Sequence, residues 1–501
     1  MPSTSTHLSG PTRASDTALP WSAVRDRLSR TLVVAAVVLV VVDGVVGILP
    51  TETIVELVTP LRALIVVGLL GAAVGGRGLR SWRTPVDLPV LLLVLATAVS
   101  AWHSGQGWPL WRGLLTGVGG FYLAVALVRR QAAAWHGVTT AALLSCAVAG
   151  LTACHQLAAH IDTGFCRAGL VAGRESCDDP DALIRATGTF ANPNLLAAAL
   201  VLLLPLAWAA ARSLPTWSSR IGAYGVVAAG YTSVVATWSR AGLVAAAVGI
   251  LVLLALRPGW SGRAMGVLGV VGAALAVVAI GGSVGVRQEV WRAALEATVA
   301  NPLGVGPGRG GAVIDARVPG TERFRHAHDL WLNWLLECGW LGGLAVVLVT
   351  VILFRVTARR ARMGSAVARV AGAGLAGFAT MSLVDHPANH AGISMLMWVV
   401  LGLVAGHQVR PGSAPGLRDR IQERREDPET ADPVVSPGAL RGPTRSTPVR
   451  PAPERRTGRP VTGPLPPDED TGEQDAWHTG EQGLPSRSSR HRNPRRHRRD
   501  L

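Results

Sequence analysis

Two histidines stand where a polar stretch, Gly285 to Arg325, meets an apolar run, in the segment HAHDLWLNWLLECGWLG from His326 to Gly342. Imidazole is the side chain whose proton moves most readily near neutral pH. A histidine at a membrane–water boundary is therefore a candidate to take the proton of an attacking hydroxyl. The competing reading is an interfacial anchor, because amphipathic rings also favour headgroup depth. His328 lies two residues before the apolar run and His326 two residues further back, beside Arg323 and Arg325. Gly339 and Gly342 place a Gly-x-x-Gly inside the run.

A second group of residues could hold negative charge. RATGTFANPN, from Arg185 to Asn194, leads into an apolar segment. Pro193 suits the first turn of a helix and Asn192 can cap it. Free N–H groups at such a helix start, next to Arg185, make a natural anion site. TWSRAG puts Arg240 in a tight turn between two apolar segments, a costly position for a guanidinium without an anionic partner. Arg287 and Trp291 open the polar stretch, and NPLGVGPGRGG follows. Arginines snorkelling to headgroups are the alternative reading for each of these positions. GVGPGRGG (Gly304 to Gly311) resembles a phosphate loop only superficially, since it lacks the lysine and the preceding strand. No CxxC, HExxH or carboxylate–histidine spacing typical of a metal site occurs, so no metal is expected.

The elements that position these residues must be membrane helices. Of the 501 residues 49% are hydrophobic, and the charged residues cluster in short groups between long Val/Ala/Leu/Gly runs. Only long apolar helices satisfy their own backbone in lipid. The net charge of +16 comes entirely from arginine, since the chain has no lysine. Because these arginines sit in loops and in the C-terminal segment, membrane orientation accounts for the charge and nucleic acid is not an expected partner. Hydropathy places about twelve spans: Thr31–Leu49, Ile54–Gly75, Val86–Ala101, Gly113–Val128, Ala132–Ala158, Pro193–Ala211, Ile221–Thr237, Ala241–Leu256, Ala264–Ser283, Leu330–Phe354, Val370–Val384 and Ala391–His407.

Arginine clusters before the first span and at Arg77/Arg80/Arg83, Arg129/Arg130, Arg212/Arg220, Arg257/Arg263 and Arg355/Arg359/Arg360/Arg362 fall in alternate loops. By the positive-inside rule these loops and both termini are cytoplasmic. Arg185, Arg240 and His328 then share the outer face, as do the 159–192 and 284–329 loops and the stretch Asp385–His390. Residues 1–30 are expected to be a disordered cytoplasmic N-terminus, 31–407 the transmembrane domain and 408–501 a disordered cytoplasmic tail too polar to offset its chain entropy. Cys166 and Cys177 share an outer loop, where a disulfide between them is open to formation.

The ordered series of a GTFANPN helix start, an SRAG turn, an NPLGVGPG loop and an H-[polar]-x9-G-x-x-G segment resembles the O-antigen ligase family of GT-C-type bacterial membrane glycosyltransferases. The resemblance is most specific from Arg185 to Gly342. It implies an all-α polytopic fold. It also implies a metal-independent, inverting enzyme without cofactor, which moves a glycan from undecaprenyl pyrophosphate to a hydroxyl on a glycan, lipid or protein acceptor. His328 falls on the family's histidine, although Asp329 stands where an amide or hydroxyl is usual. Arg185 and Arg240 match its two functional arginines, giving His328, Arg185 and Arg240 as expected catalytic residues. Arg287, His326 and Asn194 are expected substrate-binding residues. Rival readings are an anion transporter or lipid carrier, for which Asp43 would be the charge within a span, and a non-catalytic scaffold acting through its tail.

Overall fold

The computed structural model describes residues 21–50, 58–74, 79–130, 134–167, 182–256, 272, 284–318 and 324–407, all within one compact unit. The expected tail and the span Ala264–Ser283 (Gly272 apart) lie outside these residues.

Eleven apolar helices among the described residues overlap the remaining expected spans, but the first starts at Trp21, inside the 1–30 segment expected to be disordered. They are α1 (Trp21–Val46), α2 (Pro60–Val74), α3 (Asp87–Ser104), α4 (Trp108–Arg130), α5 (Trp135–Ala158), α6 (Pro193–Ser213), α7 (Trp217–Ala236), α8 (Arg240–Ala255), α11 (Leu330–Arg362), α12 (Ala366–Ser382) and α13 (Ala391–Gly406). Six of them, α1, α3, α4, α5, α6 and α11, are long and apolar enough to cross a membrane by length and composition; α2, α8, α12 and α13 are shorter apolar helices. The protein is thus an all-α polytopic membrane protein. Among the described residues a two-residue antiparallel pair joins β1 (Cys166–Arg167) to β2 (Leu183–Ile184).

Helix α6 is the centre of the bundle. Its apolar window is 83% buried, against 39–56% for the other long helices. In lipid, helices gain little from apolar contact alone and associate where small residues let backbones approach. Gly374 of α12 lies against the Leu202 carbonyl of α6, and Gly402 of α13 against the Phe121 carbonyl of α4. A Cβ at either glycine would come within 2.3 Å of that oxygen.

Hydrogen bonds mark two opposite ends. At one, Arg129 donates to the carbonyls of Ser81, Arg83 and Gly406, Arg130 to Ala72 O and Ser29 Oγ, and Arg360 to Val404 O. These guanidiniums satisfy carbonyls that helix ends leave open. At the other end Thr189 Oγ1 donates to Val45 O, 2.6 Å, and Ala186 N–H to Ala236 O, 3.0 Å. We call this second end the site face. Asp43 lies here: its Oδ1 accepts from Leu49 N–H, 2.7 Å, just past the end of α1. It is a turn-capping carboxylate, which removes the buried charge that the transporter reading needed.

The polar stretch from Gly285 to Arg325 is not the simple loop expected. It contains α9 (Val284–Ala300) and the short α10 (Gly310–Asp315). Val290, Ala293, Ala294 and Ala297, at one-face helical spacing, form a separate apolar cluster with Val305, Ile314 and Leu336. Hydropathy averaging hid this stripe because the opposite face is charged.

The NPLGVGPGRGG segment braces a break in α11. Gly339 has φ 70° and ψ −171°. The break frees the preceding carbonyls, which the loop then takes up. Val305 N–H donates to Leu336 O at 3.0 Å and Gly306 N–H to Glu337 O at 3.1 Å, while Trp340 N–H turns to Pro302 O at 3.1 Å. Ser100 Oγ adds a bond to Glu337 O, 2.5 Å. The Glu337 carboxylate accepts from Gly308 N–H, 2.8 Å, and Gly310 N–H, 3.3 Å. A Cβ on Gly339 would sit 2.2 Å from Pro302 O.

Candidate active site

The site is built where α6, α11 and α13 begin and α12 ends. The start of α6 is set locally: Asn192 is its N-cap, accepting from Asn194 N–H at 2.8 Å, with Pro193 following. The preceding turn is held by Gln156 at the end of α5. Its Oε1 accepts from Thr187 N–H and Gly188 N–H at 3.0 and 2.9 Å, and its Nε2 donates to Thr187 Oγ1 and Gly188 O, both 3.1 Å. Arg185, half-buried, donates through Nε to Thr237 O at 2.9 Å and through a terminal nitrogen to Asn194 Oδ1 at 3.5 Å. Its guanidinium therefore lies against the TWSRAG turn. In that turn Ser239 caps α8, and Arg240 follows at the first helical position, exposed.

α11 begins with a cap as well. Asp329 Oδ1 accepts from Leu332 N–H at 2.7 Å. Capping is a role that Asn and Ser also fill, which accounts for Asp329 at a position where an amide or hydroxyl was expected. Burial raises the Asp329 carboxyl, and the backbone N–H groups of Leu332 and Trp331 oppose that. Asn333 Oδ1 accepts from Ala327 N–H, 3.1 Å, and fixes the strand of chain between the two histidines. His328 itself adopts φ 51°, a left-handed conformation uncommon outside glycine and found most often for Asn, Asp and His.

These constraints turn both histidines onto one carboxylate. His328 Nδ1 lies 3.6 Å from Asp385 Oδ1, and His326 Nε2 lies 3.9 Å from the same oxygen. Asn194 Nδ2 donates to Asp385 Oδ2 at 3.2 Å, and His386 N–H to Oδ1 at 2.8 Å. The His326 and His328 rings meet edge-to-face at 4.6 Å, and His386 packs on His326 at 5.6 Å. His328 is the accessible member: its side chain is 30% exposed, against 15% for His326 and 14% for Asp385.

The electrostatics follow from burial. Burial lowers His326 to about 4, and neighbouring His328 and Arg325 add to this while Asp385 opposes it. Burial likewise lowers His386 to about 3. For Asp385 burial alone would raise the carboxyl; His328, the His386 N–H and His326 together hold it below its usual range. Asp385 is thus a carboxylate facing two imidazole rings, an arrangement that orients them.

Four of the six sequence-expected residues are thereby joined: Arg185, Asn194, His326 and His328, with Asp385 as the hub. Arg240 is placed through the turn that Arg185 contacts. Arg287, in the first turn of α9, is half-buried and engaged in an interaction of its own. It is not among the groups described around Asp385. Asp385 and His386 were not singled out in the sequence, since their partners lie on distant segments. The one available signal was a carboxylate between two spans on the histidine face. The His326 ring is held by Asp385 and His386. Cys166 is disulfide-bonded, while Cys146, Cys154 and Cys338 are free; Cys177 lies outside the described residues.

Beside the site an apolar cleft of about 260 Å³ runs between α8, α11 and α12. Leu330, Trp331 and Ser382 line its site-face end, close in sequence to His328 and Asp385, and Thr357 and Leu256 line the other.

A polytopic helical bundle thus carries a histidine–carboxylate group and two arginines at one face, next to an apolar cleft. Residues 224–347, covering most of α7 through the first part of α11, match the family model described as O-antigen ligase. No curated protein matches the chain at a significant level.

Proposed function

We propose that this protein transfers a glycan from a polyprenyl-pyrophosphate donor, of the undecaprenyl type, to an acceptor hydroxyl at the outer face of the cytoplasmic membrane. The observation that carries this reading is the Arg185–Asn194–Asp385–His328 chain of contacts, with Leu330 and Ser382, near His328 and Asp385 in sequence, lining the apolar cleft. The prenyl tail occupies the cleft, and Arg185 and Arg240 pair with the pyrophosphate and stabilise its charge as it leaves. With Nδ1 of His328 turned to Asp385, its Nε2 takes the proton of the acceptor hydroxyl. That oxygen bonds to the anomeric carbon as the bond to pyrophosphate breaks, with inversion. The guanidiniums supply the positive charge, so the step is written without a metal. Asn194 and His326 hold Asp385, and Arg287 contributes to donor binding. The catalytic domain is 31–407, and the acceptor is a glycan, lipid or protein.

The test is reconstituted full-length protein with a lipid-pyrophosphate-linked glycan, measuring donor binding and product separately. His328→Ala should cut transfer by roughly a hundredfold or more, the loss typical of a general base, with donor binding retained. Asp385→Asn should follow it, and His326→Ala should be milder. Replacing Arg185 and Arg240 together with Ala should remove donor binding, and Lys should restore only part of it because the bidentate fork is lost. Undiminished transfer by His328→Ala would exclude the histidine-base step. Undiminished transfer by the double arginine variant would exclude the pyrophosphate assignment.

In the proposed orientation both termini are cytoplasmic. An impermeant thiol reagent on intact cells should label Gln106→Cys, exposed between α3 and α4, and spare Thr216→Cys, exposed between α6 and α7. The reverse pattern inverts the topology.

A further inference from the structure

We propose that His326 Nε2, His328 Nδ1 and Asp385 Oδ1 form a binding site for a divalent transition ion of the zinc class. These three donor atoms lie within 4.8 Å of one another, with His326 and His328 at 3.9 and 3.6 Å from the shared Asp385 oxygen. Zinc bonds of about 2.0–2.2 Å to imidazole and carboxylate in tetrahedral geometry set the ligand atoms about 3.3 Å apart. The two histidine–carboxylate separations therefore need to close by about 0.3 and 0.6 Å, and the two imidazole nitrogens, within 4.8 Å of each other, by at most about 1.5 Å.

Two imidazoles and one carboxylate, with a fourth position left open, suit zinc, cobalt or nickel. They do not suit magnesium or calcium, which take oxygen ligands. The ligands are also held from behind, as metal sites require. Asn194 Nδ2 fixes Asp385 Oδ2 and leaves Oδ1 facing the rings, while the capped start of α11 fixes the chain that carries His328. No sequence spacing announces the site, because the carboxylate comes from the α12–α13 connection and the histidines from the segment before α11.

An ion here takes the lone pair of His328 Nδ1 and breaks the His328–Asp385 contact. The ion is consequently an inhibitor of transfer, a consequence that rests on the reading of His328 under Proposed function; the binding itself does not.

The experiment is titration of untagged full-length protein in detergent with Co²⁺, read by visible absorption for a tetrahedral nitrogen/oxygen site and by stoichiometry, with Zn²⁺ displacing it. Wild type should bind one ion, and His326→Gln and Asp385→Asn, each checked for an unchanged size-exclusion profile, should bind at least tenfold more weakly. No tetrahedral signal in wild type, or binding unchanged in both variants, overturns the site. Two differently placed variants keep the test valid if one fails to fold. Transfer should fall as Zn²⁺ fills the site. If Co²⁺ and Zn²⁺ bind through these residues and transfer is undiminished, the metal site stands and the assignment of His328 as base fails.

Discussion

Two carboxylates on the same side of the bundle, Glu337 and Asp385, are held in opposite ways. Glu337 is enclosed by the backbone: Gly308 and Gly310 donate to its two oxygens, and its own carbonyl takes Gly306 N–H and Ser100 Oγ. None of those donors can gain or lose a proton. Asp385 also accepts one backbone N–H, but its remaining neighbours are an amide and two imidazoles. Two ring nitrogens beside it, His326 Nδ1 and His386 Nδ1, are buried without a hydrogen-bond partner. Buried polar groups are normally paired, so the contrast separates a fastener from a site. Glu337 is saturated and rigid; the Asp385 group is under-satisfied and can change its bonding.

The largest effect should come from breaking the fastener. Gly339→Ala puts a Cβ 2.2 Å from Pro302 O at a residue with φ 70°. Both the clash and the left-handed backbone oppose it, and the neighbouring backbone atoms cannot swing aside. Folded protein should be lost, with donor binding and transfer disappearing together rather than transfer alone. Detergent-extracted yield and size-exclusion profile measure this. A well-folded Gly339→Ala variant would show that the brace does not hold the break in α11.

The Gly-x-x-Gly in the sequence thus had a physical meaning that the sequence alone does not disclose. Spans were legible because each needs close to 20 apolar residues in a row, and eleven helices fall where hydropathy places them. The starts of α6 and α11 were legible in part, since Pro193 with Asn192 is a local cap signal. The polar helix α9 was missed because its apolar stripe of Val290, Ala293, Ala294 and Ala297 is diluted by Arg and Glu on the other face. The hub of the site was missed for a different reason. Asp385 meets His326 and His328 only because α11, α12 and α13 return to the same face, and a contact made by the fold has no spacing in the chain.

An intermediate effect should appear on acidification of the Asp385 group. His326 and His386 are lowered by burial to about 4 and about 3, from an ordinary 6.5. Between those values and 6.5 the unfolded chain binds more protons than the folded one, so stability rises with pH and falls as the solution is acidified. Pairing with Asp385 works the other way but is outweighed by desolvation at both rings. The expected slope is on the order of 1 kcal/mol per pH unit for each histidine across that window. Thermal unfolding in detergent at pH 7 and pH 5 should show the loss, and His386→Gln should reduce it. A pH dependence left unchanged by both His386→Gln and His326→Gln would mean that the two rings are not buried as neutral groups.

The smallest effect should follow from removing charge at Glu337, the change that at Asp385 is expected to cripple transfer. Glu337→Gln keeps the shape and leaves one oxygen to accept a backbone N–H, while its NH₂ faces the other glycine donor. One charge-assisted hydrogen bond is lost, worth roughly 1–3 kcal/mol, in a brace that still has the Leu336 and Glu337 carbonyls and Pro302 O to hold the loop. Gly304, Gly306 and Gly308 all have positive φ, so the loop backbone is built for this path and does not depend on one carboxylate to adopt it. The melting temperature should therefore drop modestly while the transfer rate at permissive temperature changes by less than threefold, about the effect of 0.6 kcal/mol on a barrier. A Glu337→Gln protein that is stable yet as impaired in transfer as Asp385→Asn would erase the distinction, and would place the Gly308–Gly310 loop among the groups that take part in the chemistry.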